Sequence, residues 1–347
     1  GGGKYLVVWQ EDRGATAEDI LGVFVSPEGF LTGSPFVICN CNGTQQFARV
    51  VYNGADLFLV VWEDQRNGSL NPTIFGARVT AGTQQVLDPD GFLVPQNTSN
   101  KAQIPEVGSI NGDFLAIWKD TRLGQAGIYG ARITPAKTIT GDLPLVTGGN
   151  TRQRPSLTSS GTQYLLLWDE IGAQDSDVFG LRVSAAGSPT GSPFVISDAA
   201  GTQQRPSGAS DGTNFLVAWE DDRSGNFEIY GSRVSSSGSV LDSSGVPIST
   251  VSSLKVLTDV AFGSGKYFAV WSDTRNDPFF VTTDIYGAFI DSTSGAPGPD
   301  FAVGASPQRQ SYGRSTFDED AFLTVWIDNR NSGSLADFDI FGHIIEP

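Results

Sequence analysis

VAWEDDRSGNFEIYGSRV, residues Val217–Val234, is the clearest copy of a phrase that recurs along the whole chain. An apolar run ends in Trp. An acid follows two residues later and, in most copies, an arginine four residues later. A short polar loop then leads to an aliphatic residue, an aromatic residue or leucine, and glycine. IWKDTRLGQAGIYGARI (Ile117–Ile133) and VWSDTRNDPFFVTTDIYGAFI (Val270–Ile290) repeat the pattern. All seven tryptophans, Trp9, Trp62, Trp118, Trp168, Trp219, Trp271 and Trp326, close the same apolar run, at intervals of 50 to 56 residues. Self-similarity at this period marks an array of identical supersecondary units.

One unit reads as four short strands. Around the quoted stretch, Gln204–Ala209 is a first strand and Ser210-Asp-Gly-Thr a hairpin turn. Asn214–Trp219 is the second strand, Glu220–Phe227 a loop, Ile229–Val234 the third, and a fourth ends near Ile248. In the second strand of the first unit, Tyr5, Val7 and Trp9 share one face while Leu6 and Val8 share the other. Both faces are apolar, so the sheet is covered on both sides, as a blade between two neighbouring blades would be. The expected fold is all-β: a seven-bladed β-propeller of four-stranded antiparallel blades, forming one domain over residues 1–347.

The ends fit this frame unevenly. Gly1-Gly-Gly-Lys-Tyr5 matches the turn before a second strand, as in Ser264-Gly-Lys-Tyr267, so blade one is expected to lack its inner strand. The chain stops after a third strand, Ile340–Ile345, so blade seven is expected to lack its outer one. Together with the absence of Met, this leads to the expectation of a processed or partial product of a larger protein. Copies of the chain, or other proteins, would then cover the open end blades.

With 38 acidic and 22 basic residues, the formal charge is −16 and the pI about 4.4. Such a surface repels nucleic acid, so no nucleic-acid partner is expected. No apolar run reaches the 18 residues needed to span a membrane, so no insertion is expected either. Asn42-Gly-Thr, Asn67-Gly-Ser and Asn97-Thr-Ser match the N-glycosylation pattern. With a Ser/Thr/Asn-rich, Lys-poor surface they suggest an extracellular or cell-surface protein. Cys39 and Cys41, two residues apart, share a strand face and could form a disulfide, remain free thiols, or pair outside the chain.

The repeated acids (Glu11, Asp64, Asp120, Glu170, Asp221, Asp273, Asp328) and arginines (Arg13, Arg66, Arg122, Arg223, Arg275, Arg330) collect on one rim. A residue needed in every blade is first of all a residue the blade needs: the carboxylate accepts turn N–H groups and the guanidinium bridges to it. Sugar binding is the alternative use of acid, aromatic and amide together. Blade four departs most: Trp168-Asp-Glu-Ile-Gly-Ala-Gln-Asp-Ser-Asp177 has no arginine and gathers Asp169, Glu170, Asp175 and Asp177, a candidate calcium loop. Pro278, Phe279 and Phe280 in the long loop of blade six form a candidate contact patch. The single His343 and the absence of Gly-x-Ser-x-Gly or His-Glu-x-x-His leave little support for catalysis, although paired carboxylates keep glycoside hydrolysis open.

Trp-x-Asp-x-Arg-x-Gly with Asp-Ile-Tyr-Gly resembles repeats in secreted propellers of bacteria and archaea. Gly225–Tyr230 (Gly-x-x-Glu-Ile-Tyr) is similar to the TolB-type repeat. The resemblance implies an extracytoplasmic interaction scaffold and no catalytic residues. The sequence-level expectation is therefore a non-enzymatic scaffold binding protein partners. A carbohydrate-binding propeller, calcium-dependent or not, is the first alternative, and a polysaccharide-acting enzyme the second.

Overall fold

The computed structural model describes residues 3–12, 18–97, 101–122, 124–277, 282–318, 320–331 and 338–347. The chain is a seven-bladed, all-β propeller; the described residues contain no helix, and so none long and apolar enough to cross a membrane. Five sheets have four antiparallel strands and two have three. Blade five runs Gln203–Ser210, Asn214–Asp221, Glu228–Ser235 and Val246–Pro247. Blade one consists of Tyr5–Asp12, Glu18–Val25 and Phe36–Cys39, which correspond to the second, third and fourth strands of blade five. Blade seven consists of Gln310–Asp318, Ala321–Asp328 and Asp339–Ile345, the first three.

The second strand is the buried spine of each four-stranded blade. Phe215, Leu216, Val217, Ala218 and Trp219 are all buried, because successive side chains point to opposite faces and both faces are covered. Trp62, Trp118, Trp168, Trp219 and Trp271 are fully buried, Trp326 nearly so, and Trp9 only half-buried.

Two compact units are distinguished, Gly1–Leu166 with Leu181–Pro193, and Leu167–Gly180 with Phe194–Pro347. In the first, one apolar cluster joins Leu59, Val61, Phe114 and Trp118, and another joins Ile20, Phe24, Phe58 and Trp62. In the second, Leu216, Tyr267 and Trp271 pack in one cluster and Phe268, Phe322 and Trp326 in another.

The first strand of a blade carries a bulge. Gln204 pairs with Glu220 but Ser207 pairs with Ala218, so one residue is extra on the first strand. The same slip falls between Gln46 and Arg49, Gln103 and Glu106, Val256 and Asp259, and Ser311 and Arg314. At this position Phe47, Ile104 and Arg154 of the first unit, and Arg205, Leu257 and Tyr312 of the second, have φ between 45° and 61°. Non-glycine residues rarely adopt this region, and it costs on the order of 1–3 kcal/mol each. Four of these strained N–H groups are met by a side chain of the preceding blade. Phe47 N donates to Gln10 Oε1 (2.9 Å) and Ile104 N to Glu63 Oε2 (3.2 Å); Arg205 N donates to Asp169 Oδ1 (3.2 Å) and Leu257 N to Glu220 Oε1 (2.6 Å). The strain is thus held by a contact between blades.

Candidate functional site

In blade five the indole N–H of Trp219 donates to Asp221 Oδ2 at 2.8 Å. The same carboxylate accepts from Arg223 N (3.1 Å), Nε (2.8 Å) and Nη2 (2.5 Å). The Arg223 guanidinium lies 4.2 Å from the ring centroid of Tyr230 on the third strand. Its Nη1 donates to the Ser244 carbonyl (2.7 Å), and Nη2 also reaches the Ser197 hydroxyl (3.4 Å). A carboxylate taking four donors, under a planar cation stacked on an aromatic face, has no capacity left for a ligand.

This arrangement recurs. Trp62–Asp64–Arg66 stacks on Phe75, Trp118–Asp120–Arg122 on Tyr129, Trp271–Asp273–Arg275 on Tyr286 and Trp326–Asp328–Arg330 on Phe341, with guanidinium-to-centroid distances of 3.8 to 4.1 Å. In blade one Trp9 donates to Glu11 Oε2 at 3.0 Å, while Arg13 lies outside the described residues. Burial alone would raise the Asp273 pKa, but hydrogen bonds from Arg275 and Trp271 overcome it and hold the carboxyl below its ordinary range. Asp328 is lowered in the same way, by Arg330 and Gln310 against burial.

Blade four is built differently. Trp168 donates to Glu170 Oε2 at 3.4 Å, but Gly172 stands where the arginine would be. The Phe179 ring lies against Trp168 instead, centroids 5.8 Å apart and planes 12° apart. The acids of the loop divide between two tasks. Asp169 is buried and accepts the Arg205 N–H, so it belongs to the contact between blades. Glu170 lies at the end of one strand, Asp177 at the start of the next and Asp175 in the turn between them, with Asp198 close enough to act on Asp177. Partial burial, then the charges of Asp175, Asp198 and Glu170, raise the Asp177 pKa. No three His, Cys, Asp or Glu side chains among the described residues converge as a metal site, and Asp169, Glu170, Asp175 and Asp177 do not form one.

Cys39 and Cys41 are joined by a disulfide. Asn42, Asn67 and Asn97 are all exposed. Pro278, Phe279 and Phe280 lie outside the described residues. Two small clefts, about 60 and 180 Å³, open beside Asp120 and Tyr129 and beside Thr274 and Arg275; neither includes the acids of blade four. Sequence reasoning passed over the residue directly after Trp, apart from Asp169, which it grouped with the candidate calcium loop. Gln10, Glu63, Asp169 and Glu220 carry the contact to the next blade, and the available signal was a polar residue ending an apolar strand one position before the repeated acid.

No protein-family model matches the chain, and no curated protein sequence does. Solved structures do. A Trypanosoma rangeli sialidase superimposes with a TM-score of 0.54 at 10% identity, over 95% of this chain and 58% of that one. An endo-arabinase from Bacteroides thetaiotaomicron gives 0.48 at 12%, over 87% and 93%, and a TolB structure from Agrobacterium tumefaciens 0.47 at 15%, over 90% and 94%. Likeness at these identities is likeness of fold, and it defines the chain as a β-propeller. It also corrects the expectation of a non-enzymatic scaffold, which took the repeated acids to leave no chemistry: the similar structures are mostly named as glycan-acting enzymes, endo-arabinanases and an arabinofuranosidase among them. The repeated acids are architecture in the blades that keep the arginine; blade four has Gly172 in its place.

Proposed function

We propose that this propeller acts on a polysaccharide by acid-assisted cleavage of a glycosidic bond, with Asp177 as the proton donor. The observation that carries the reading is the raised pKa of Asp177 in the one blade whose loop lacks the arginine. Glycoside hydrolysis uses one carboxyl kept protonated and a second kept ionised. Asp177 delivers its proton to the leaving glycosidic oxygen. Glu170 or Asp175, which both act on Asp177 through their charge, supplies the second carboxylate, which stabilises the sugar cation, attacks it, or draws a proton from water. The fold's occurrence in a sialidase and in endo-arabinanases supports a glycan as the substrate class. The Cys39–Cys41 disulfide and the exposed Asn42, Asn67 and Asn97, each opening an Asn-x-Ser/Thr sequence, support a place outside the cytoplasm.

The experiment is turnover of a glycan panel, arabinans, galactans and sialylated oligosaccharides included, by wild type and Asp177→Asn. General acid catalysis contributes roughly 10²- to 10⁴-fold, so kcat should fall by that factor in the variant. An aryl glycoside whose leaving group needs no proton should restore the first step. Absence of wild-type turnover across the panel, or an Asp177→Asn enzyme as fast as wild type, overturns the reading.

A further inference from the structure

The arginine of a blade reaches back to the end of the preceding blade's outer strand. Arg223 Nη2 donates to the Ser197 hydroxyl at 3.4 Å, and Arg275 Nη2 to the Ser249 hydroxyl at 3.5 Å. Between blades one and two the corresponding acceptor is sulfur: Arg66 Nη2 lies 3.5 Å from Cys39 Sγ. Cys39 is fully buried, whereas Cys41 is only half-buried. The segment carrying Cys41 is pressed onto the Arg66 loop. Gln65 N donates to Thr44 O at 2.9 Å, Gln45 Nε2 donates to Asn42 O at 3.2 Å, and Gly43, at φ +79°, sits so close that a Cβ would meet Gln65 O at 2.7 Å.

We propose that the Cys39–Cys41 bridge is a thiol-exchange site, open to an external thiol at Cys41 and served by Arg66 at Cys39. A thiolate attacks Cys41 Sγ, which belongs to the less buried of the two residues and lies 3.7 Å from Asp90 O. The new S–S bond forms there as the Cys39–Cys41 bond breaks, and the bond's electron pair leaves on Cys39 Sγ. The Arg66 guanidinium, a fixed cationic donor, receives the departing thiolate where its counterparts hold a neutral hydroxyl. A second thiolate attacks the external sulfur of the mixed disulfide, giving the oxidised reagent and a Cys39/Cys41 dithiol. Two equivalents of thiol are oxidised for each bridge reduced. The co-reactant is a thiol of small-molecule size, because Cys39 is fully buried and Cys41 only half-exposed.

Reduced glutathione is the probe, with the full folded chain. The reaction is quenched by alkylation and read by intact mass and peptide mapping. The expected product carries glutathione on Cys41 and the alkyl group on Cys39. Arg66→Gln removes the cation and should slow adduct formation by about 3- to 10-fold, by the dependence of exchange on leaving-group stability. Arg66→Lys should stay within about 2-fold, because it keeps a cationic donor. Arg223→Gln, the same change at Ser197, should leave the rate unaltered. Unfolding would accelerate exchange, the opposite direction. Glutathione on Cys39, equal rates in wild type and Arg66→Gln, or a rate that tracks the unfolded fraction measured by tryptophan fluorescence would each overturn the proposal.

Discussion

Asp221→Ala tests whether the repeated acid is architecture. The Asp221 side chain is fully buried and accepts four donors, one from Trp219 and three from Arg223. The substitution strands a buried indole N–H and a loop N–H, each costing about 1–3 kcal/mol when unmade. It also leaves a guanidinium, only 22% exposed, without its carboxylate. Removing one member of a buried ion pair costs about 3–5 kcal/mol. These costs overlap, since the arginine can turn toward water, so a total of about 4 kcal/mol is expected. Asp273→Ala should cost less, because Arg275 keeps Asp300 through bonds of 3.1 and 2.9 Å from Nη1 and Nη2. The assay is urea unfolding followed by tryptophan fluorescence, the two variants side by side with wild type. A loss under about 1 kcal/mol for Asp221→Ala, or an equal loss at the two sites, would refute the reasoning.

Three further outcomes are expected. Asp242 and Asp300, held low chiefly by Arg233 and Arg275, and Asp273 and Asp328, held low by arginine against burial, have folded-state pKa values below their unfolded ones. Their contribution is fully present above the unfolded value of about 3.9 and is lost as pH falls through the folded values, so the urea midpoint should drop steadily below about pH 4; a midpoint constant from pH 5 to the acid limit would contradict this. Gly172→Arg should rebuild the missing arginine over Phe179, where a Cβ would lie 3.3 Å from Asp175 O, and the new cation should lower the Asp177 pKa. Loss of turnover with a fold at least as stable is the expected pair of readings; undiminished turnover would separate Asp177 from the chemistry. At Tyr312, φ 60° and 52% exposed, glycine should give a protein about 1 kcal/mol more stable than alanine does, measured by the same unfolding assay, and no difference would mean the bulge is unstrained.

The fold was legible because the second strand announces itself: an apolar run on both faces, closed by Trp at a fixed interval, can only be a strand covered on both sides. Trp219 to Asp221 to Arg223 was legible as a self-contained unit for the same reason, each residue being required in blade after blade. The bulge was not. A left-handed Phe47 or Arg205 follows from a hydrogen bond to a side chain about 36 residues earlier, and local propensity carries no trace of a partner in another blade. Asp169 shows the cost of reading acids by proximity. It stands next to Glu170 in sequence and was grouped with it as a calcium ligand, yet alternation along the strand sends its side chain to the neighbouring blade. What distinguishes Asp177 is likewise partial burial in the folded chain and then the charges of three other residues, one of them Asp198 beyond the next strand.

The contact across the bulge runs one way. In each of its four copies the acceptor, Gln10, Glu63, Asp169 or Glu220, belongs to the earlier blade and the strained N–H to the later one. A blade that has already left the ribosome therefore offers a finished docking point to the strand that emerges next, and never needs one from a segment still being made. The repeat carries a direction of assembly, set by synthesis from the N-terminus, and a circular permutant that reversed the order at one junction would have to form that bend without its template.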